Sequence, residues 1–316
     1  MHPLSEPILR GDRRALARGL SIVEDRREGY LELLKDLYRK GGKARIVGVT
    51  GPPGAGKSTL VNRLIGAYRE GGHEVAVAAV DPSSAFSGGA ILGDRVRMQD
   101  RVLDPGVFIR SMATRGHMGG LSRATADALV VLDAAGFDVI LVETVGVGQD
   151  EVDIVREADT VLVLLVPGLG DDIQAIKAGI MEIADVFVIN KADREGVDRV
   201  ERELKAALQL AGEGAGWTPP IVKTVASRGE GMEEVVKAVA AHEAHLRESR
   251  GSGRLKLKYR QRFWELLSER LLTEIRKRWL DGEREERLLR AFVERKADPY
   301  SSVEEILRRI RWEERP

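Results

Sequence analysis

The sequence predicts an α/β fold in which helices cover a mostly parallel sheet. Between about residues 43 and 245, short runs of β-branched residues alternate with helical patterns, which is typical of repeated βαβ units. The predicted strands cover residues 46–50, 75–80, 107–110, 139–142, 161–166, 186–189 and 221–225. Ligands of such sheets bind beyond the carboxyl ends of the strands, so we expect the functional residues there.

Helical patterns without strand runs occupy both ends of the chain. In residues 1–42 leucine and valine recur with helical spacing until Gly41 and Gly42 break the pattern, which predicts a helical extension packed on the main domain. The main α/β domain is predicted for residues 43–250. Residues 251–316 are predicted to form a charged helical arm that begins at a Gly-Ser-Gly hinge.

The helical arm carries an apolar stripe. Its members recur every fourth residue: Phe263, Leu267, Leu271, Ile275 and Trp279. Such a stripe has to be covered by the rest of the chain or by another subunit. We favour a dimer contact, because the hinge separates the arm from the sheet.

The composition narrows the possible classes of protein. The 316 residues suffice for one sizeable α/β core with appendages or for two small domains. Lys+Arg and Asp+Glu are both 50, so the net charge gives no general attraction to nucleic acid or to an anionic membrane. The absence of cysteine excludes disulfides, thiolate metal sites and a cysteine nucleophile. Without a signal-peptide pattern or a membrane-length apolar run, we expect a cytoplasmic protein.

A phosphate-binding loop is predicted between the first strand and the following helix. The segment fits G-x-x-x-x-G-K-[ST] and consists of Gly51, Pro52, Pro53, Gly54, Ala55, Gly56, Lys57, Ser58 and Thr59. Its glycines let backbone N–H groups turn towards phosphate oxygens, and the helix that starts near Lys57 adds its positive dipole end. Lys57 is expected to reach the β- and γ-phosphates, and Ser58 is expected to bind Mg²⁺.

Three acidic residues are candidate Mg²⁺ ligands. Asp81 closes the second strand, where it could hold the ion through water, position the attacking water, or only cap a turn. Glu143 stands three residues before Gly146, as in the D/E-x-x-G element, whose carboxylate orders Mg²⁺ and whose glycine amide contacts the γ-phosphate. Asp94 is either a further metal-side carboxylate or part of a solvated charge run. Gln149 does not directly follow Gly146, so we give it no water-orienting role.

A guanine-binding element is predicted after the sixth strand. Asn190, Lys191 and Asp193 fit N-K-x-D, in which the aspartate accepts hydrogen bonds from guanine N1 and N2. Adenine offers no matching donors, and a buried polar group without a partner is costly. Lys191 is expected to lie along the base. After the last strand, Ala226 and Ser227 are expected to meet the guanine carbonyl with a backbone amide.

Several motifs together resemble the MeaB/ArgK (MMAA-type) family of GTPases. The resemblance covers nearly the whole chain, and its more specific stretches are Ser-Met-Ala-Thr-Arg-Gly-His at 111–117 and Glu-Thr-Val-Gly-Val-Gly-Gln at 143–149. Further matches are the Asp-Pro-Ser-Ser at 81–84 and the Gly-Asp-Arg-Arg-Ala-Leu-Ala at 11–17. The phosphate-binding loop and the N-K-x-D element are general to GTPases.

The resemblance implies a P-loop NTPase of the SIMIBI class, a homodimer, and Mg²⁺-dependent hydrolysis of GTP to GDP and phosphate. It also implies that this cycle gates cofactor delivery to methylmalonyl-CoA mutase or a related cobalamin-dependent mutase and protects it, with an adenosyltransferase as a further candidate partner. Asp81, Asp94 and Glu143 match the metal-side acids of the family. From spacing alone Lys177 belongs to an ordinary loop, but the resemblance implies a lysine through which the partner speeds hydrolysis.

Two alternatives share the same class of nucleotide domain. A GTPase that delivers nickel as a metallochaperone is expected to carry a Cys/His metal site, which the sequence lacks. A small-molecule kinase needs an acceptor pocket and usually ATP, and Asp193 argues against the adenine base. Cobalamin itself is expected to stay on the partner, because the sequence has no D-x-H-x-x-G cobalt-ligating motif.

Overall fold

The protein forms two compact units, residues 1–250 and 251–316, which we describe separately. The computed structural model describes residues 1–81, 101, 103–113, 120–144, 157–168, 183–211, 216–248, 252–280 and 282–310. Of the expected site residues, Asp94, Gly146 and Lys177 lie outside these ranges, and Asp81 is described by its backbone alone.

The first unit is built on a seven-stranded parallel sheet with the order β3-β2-β4-β1-β5-β6-β7. Its strands are β1 Arg45–Thr50, β2 Val75–Asp81, β3 Val107–Ala113, β4 Val139–Thr144, β5 Thr160–Leu165, β6 Val186–Asn190 and β7 Ile221–Thr224. The fold predicted from the alternating pattern is therefore confirmed. Strand β3 is three residues longer than expected, because it pairs along the whole of β2 from Val75↔Val107 to Asp81↔Ala113.

Helices cover both faces of this sheet. In its described residues the first unit has the helices α1 Ser5–Leu9, α2 Arg13–Glu24, α3 Tyr30–Tyr38, α4 Lys57–Glu70, α5 Gly120–Ala134, α6 Val197–Ala211 and α7 Met232–Glu248. On one face, α4 and α7 bury residues such as Leu64 and Val235 against the central strands. On the other face, α5 packs over β2 and β4, and α6 packs over β5 and β6. Burial on both faces explains why β4, β5 and β6 are apolar except at their ends.

The N-terminal helices pack on the same core. Leu16 and Leu20 of α2 and Leu33 of α3 are buried in one cluster with Leu132 of α5. Asp12 is the N-cap of α2, and its carboxylate accepts hydrogen bonds from the amides of Ala15 and Arg14, which hold the pKa of Asp12 below its usual value. The helical extension expected from the sequence is thus part of the first unit.

The second unit consists of the helices α8 Ser252–Trp279, α9 Gly282–Val293 and α10 Pro299–Arg309. Helix α8 starts at Ser252, so Ser252 and Gly253 are helical and the expected hinge is not observed at these two positions. The cost of a helical glycine, about 1 kcal/mol relative to alanine, is small for a helix of 28 residues. In the described parts of the chain, no helix is both long and apolar enough to span a bilayer.

Candidate nucleotide-binding site

The loop between β1 and α4 follows a path that only glycine can adopt at key positions. Gly51 has φ 145°, and a Cβ there would lie 2.5 Å from the Leu164 carbonyl oxygen of the neighbouring strand. Gly56 has φ 92°, and a Cβ there would lie 2.5 Å from Nδ2 of Asn190. The loop therefore touches β5 on one side and the end of β6 on the other. Its path is fixed by packing as well as by backbone conformation.

Lys57 lies over this loop. Its side chain is buried, and Nζ donates to the carbonyl oxygens of Gly51 at 2.5 Å and Pro52 at 3.3 Å. Ala55 is fully buried, whereas Pro53, Gly54 and Thr59 are exposed. The ammonium group thus stands at the positive end of α4 next to backbone groups of the loop, a suitable arrangement for an anion.

A hydroxyl and a carboxylate meet beside the loop. The Ser58 hydroxyl donates to Oε1 of Glu143 at 2.5 Å, and Glu143 is 1% exposed. Strand pairing produces this contact, since Val49 of β1, two residues before the loop begins, pairs with Glu143 of β4. The adjacent strand β2 ends at Asp81. Two of the three predicted acids therefore come from neighbouring strand ends on the side of Ser58.

Asn190 connects the predicted base site to the phosphate loop. Its side chain is 2% exposed, and Nδ2 donates to the Ala55 carbonyl at 2.8 Å. Oδ1 accepts two hydrogen bonds, each of 3.1 Å, from the Thr224 hydroxyl and the Ala226 amide. One buried amide group thus joins the end of β6 to the phosphate loop and to the segment after β7.

Lys191 makes a second connection, and Asp193 stays near the surface. Lys191 has φ 58°, and its Nζ donates to the Gly54 carbonyl at 2.7 Å. The Asp193 side chain is 38% exposed, and its Oδ2 lies 3.4 Å from Nη2 of Arg228. An ion pair this exposed contributes little to stability. The Asp193 carboxylate is therefore accessible to a ligand.

The segment after β7 is held by a residue that the sequence reasoning missed. Arg63 of α4 donates from Nε to the Ala226 carbonyl at 3.1 Å and from Nη2 to the Ser227 carbonyl at 2.6 Å. The Ala226 amide donates to Asn190, so its expected contact with guanine stays a prediction. The only sequence signal for Arg63 was weak, because Arg63 is one of two adjacent polar residues, with Asn62, between apolar residues of α4.

The two groups of residues lie along one edge of the sheet. The phosphate loop follows β1, and the base elements follow β6 and β7, with β5 between them. Both lie at carboxyl ends of parallel strands, the usual position of a ligand in such sheets. The geometry is that of one elongated site with an anion-binding end and a hydrogen-bonding end.

The chain is similar to known proteins over most of its length. A protein-family model described as "Methylmalonyl Co-A mutase-associated GTPase MeaB" matches residues 16–279. The chain belongs to the MeaB family. A relative in Pyrococcus abyssi whose name describes it as a GTPase is 52% identical over 97% of this chain and 96% of its own. GTPase ArgK of Escherichia coli is 37% identical over 86% of this chain and 85% of its own.

A solved structure has the same fold. The crystal structure of the LAO/AO transport system kinase is 28% identical, with a TM-score of 0.69 over 96% of this chain and 95% of that chain. This likeness, the phosphate loop and the family together identify the MeaB-family chain as a GTP hydrolase with a P-loop fold. The expected enzyme class and fold are confirmed.

Proposed function

We propose that this MeaB-family GTPase acts as a chaperone of an adenosylcobalamin-dependent acyl-CoA mutase, methylmalonyl-CoA mutase or a close relative. In this proposal GTP binding and hydrolysis gate the delivery of the cofactor and protect the mutase. The observation that carries the proposal is the family match over residues 16–279, because the description of that family names association with this mutase. An adenosyltransferase is a further proposed partner, and the cytoplasm is the proposed location.

We propose that GTP lies along the sheet edge with its base at Asp193 and its phosphates in the loop of residues 51–59. Asp193 accepts hydrogen bonds from guanine N1 and N2, and a backbone amide of the Ala226–Ser227 segment meets the guanine carbonyl. Lys57 neutralises charge on the β- and γ-phosphates, and Gly146 donates its amide to the γ-phosphate. The exposed carboxylate of Asp193 and the buried ammonium of Lys57 support this direction.

We propose Ser58, Asp81, Asp94 and Glu143 as the residues that hold Mg²⁺, directly or through water. The contact between the Ser58 hydroxyl and the buried Glu143 carboxylate supports this set, because Mg²⁺ prefers compact groups of oxygen ligands. When bound, the ion supplies positive charge that offsets the charge of the transferring phosphoryl group. The chain itself orients the attacking water, for which Asp81 is the proposed residue, and Lys57 stabilises the developing charge.

Hydrolysis by the chain alone is expected to be slow. No arginine finger or directly placed glutamine is evident in the sequence. We therefore propose that the mutase orders the residues around the phosphates and raises the rate, with Lys177 as the side chain that transmits its effect. The predicted signature is a mutase-dependent rise in kcat that Lys177→Ala removes while basal turnover persists.

We propose that the second unit mediates a homodimer. Phe263 and Leu271 of α8 are 59% and 40% exposed, and helices α9 and α10 bury none of their residues. Apolar side chains exposed on three helices support a protein contact. Light scattering of the full chain is expected to give the mass of two chains, and Phe263→Glu is expected to lower it.

GTP and ATP hydrolysis, each with and without purified methylmalonyl-CoA mutase, tests the chaperone proposal. We expect slow GTP turnover that the mutase accelerates and that Lys57→Ala abolishes. GTP turnover that ignores the mutase would refute the partner and leave the GTPase intact. A preference for ATP would refute the assignment of Asp193.

A small-molecule kinase is the second candidate. The one observation in its favour is the name of the similar solved structure, a transport system kinase. The two functions are separated by the fate of the γ-phosphate. Release of inorganic phosphate alone supports the chaperone, whereas a phosphorylated small molecule in the same assay would support the kinase.

A further inference from the structure

We propose that Arg63 is a positioning residue for recognition of the guanine carbonyl. It lies on α4, the helix that begins with Lys57 and Ser58, and it reaches across to the segment after β7. This proposal rests on the proposed binding of guanine at Asp193 and in the Ala226–Ser227 segment. It assigns to Arg63 a role in aligning the base end of the site with the phosphate end.

The carbonyl groups that Arg63 holds determine where the adjacent amides point. In a trans peptide the C=O and N–H bonds point in opposite directions. Because the Arg63 guanidinium takes the Ala226 carbonyl, the amide of Ser227 is directed away from α4. Among the described residues the Ser227 amide has no hydrogen-bond partner, whereas the Ala226 amide is taken by Asn190. The Ser227 amide is therefore the donor that is open to a keto oxygen.

The guanidinium suits this task better than an ammonium would. Its N–H donors form a fixed planar fork, and Nε and Nη2 here bind two consecutive carbonyls at 3.1 and 2.6 Å. The Ala226 carbonyl also accepts the amide of Gly229 at 3.2 Å. Within the described ranges, the Ser227 carbonyl has Arg63 as its sole donor. An ammonium can donate to two carbonyls, as Lys57 does, but it lacks the planar fork that fixes their directions, so lysine should replace Arg63 only in part.

Ligand affinities of the full-length chain test the proposal. The assay measures how well each ligand displaces a fluorescent guanine nucleotide from the protein. The ligands are GDP, IDP, ADP and inorganic tripolyphosphate, and the proteins are wild type, Arg63→Ala, Arg63→Lys and Arg63→Gln. Arg199→Ala is the matched control, because Arg199 is exposed and donates to Glu203 within α6 and not to the segment after β7.

GDP and IDP share the 6-keto group, so Arg63→Ala should weaken both by about tenfold, the order expected for one to two net hydrogen bonds. The affinities of Arg63→Ala for ADP and for tripolyphosphate should differ from those of wild type by less than about twofold. In Arg63→Ala the KM for GTP should rise while kcat stays unchanged. The GDP affinity of Arg63→Lys should lie between those of wild type and Arg63→Ala, and the affinities of Arg199→Ala should match those of wild type. If Arg63→Ala does not fold, the lysine and glutamine variants carry the comparison.

Two results would overturn the role of Arg63. One is unchanged GDP affinity in the folded variants, and the other is an equal loss for tripolyphosphate, which would indicate a general disturbance of α4. Wild-type protein that does not prefer GDP to ADP would instead refute the base site itself. The two failures are therefore distinguishable.

Discussion

Replacement of Asn190 by alanine is the sharpest test of how the site is held together. The side chain is 2% exposed, and it serves the Ala55 carbonyl, the Thr224 hydroxyl and the Ala226 amide. Alanine removes all of these hydrogen bonds at once. Water can replace them only poorly, because Thr224 is 1% exposed and Ala226 is 2% exposed.

The magnitude follows from the groups that lose their partner. A buried polar group left unsatisfied costs about 1–3 kcal/mol, and Ala55, Thr224 and Ala226 are 0%, 1% and 2% exposed. At about 1 kcal/mol for each group, Asn190→Ala should lower the free energy of unfolding by about 3 kcal/mol. Urea denaturation followed by circular dichroism measures this change.

Thr224→Val turns the measurement into a double-mutant cycle. In the wild-type background valine removes the hydrogen bond from the Thr224 hydroxyl to Oδ1 of Asn190. The free energy of unfolding should therefore fall by about 1 kcal/mol. In the Asn190→Ala background the threonine hydroxyl is already unpaired, so valine should be neutral or stabilising. The reasoning would be refuted if Asn190→Ala lowered the free energy of unfolding by less than about 1 kcal/mol. It would also be refuted if the effects of Asn190→Ala and Thr224→Val on that free energy were purely additive.

Three further predictions concern the loop, the metal side and pH. Gly51→Ala should abolish nucleotide binding, because its Cβ would meet the Leu164 carbonyl. Gly54→Ala is strained by its φ of 76° but has no atom within 4 Å of its Cβ, so it should lose less affinity than Gly51→Ala in equilibrium titrations. Glu143→Gln should raise the Mg²⁺ concentration for half-maximal GTP hydrolysis by about tenfold or more, and an unchanged Mg²⁺ titration would contradict its role. Hydrogen bonds from Lys205 and Lys223 lower the pKa of the Glu201 carboxyl group from 4.5 to about 2. Its ion pairs should therefore stabilise the fold above pH 4.5 and lose this effect as the pH falls towards 2. Thermal melts of wild type and Glu201→Gln should therefore differ at neutral pH and converge near pH 2.

The fold and the positions of the main motifs were predictable because their signals are local. An apolar run such as β5, the loop before Lys57 and the N-K-x-D element each occupy a few consecutive residues. The contacts that join them were not predictable, since Arg63 and Ala226 are 163 positions apart and the bond depends on the packing of α4 beside α7, the helix that follows β7. The hydrogen bond from the Ala226 amide to Asn190 likewise depends on the packing of the end of β6 beside the segment after β7.

The side chains of Asn190, Lys191 and Arg63 hold different parts of the site. Loss of Asn190 and loss of Arg63 should therefore have different effects on the affinity for tripolyphosphate, a ligand without a base. Asn190 and Lys191 bind carbonyls of the phosphate loop itself, at Ala55 and Gly54. Loss of the Asn190 amide should therefore weaken tripolyphosphate as well as GDP, because the loop loses part of its support. Arg63 leaves the loop untouched and holds only the base segment, so its loss should spare tripolyphosphate. Equal behaviour of the two variants would mean that the site responds as one rigid unit, in which case no single connection aligns the base.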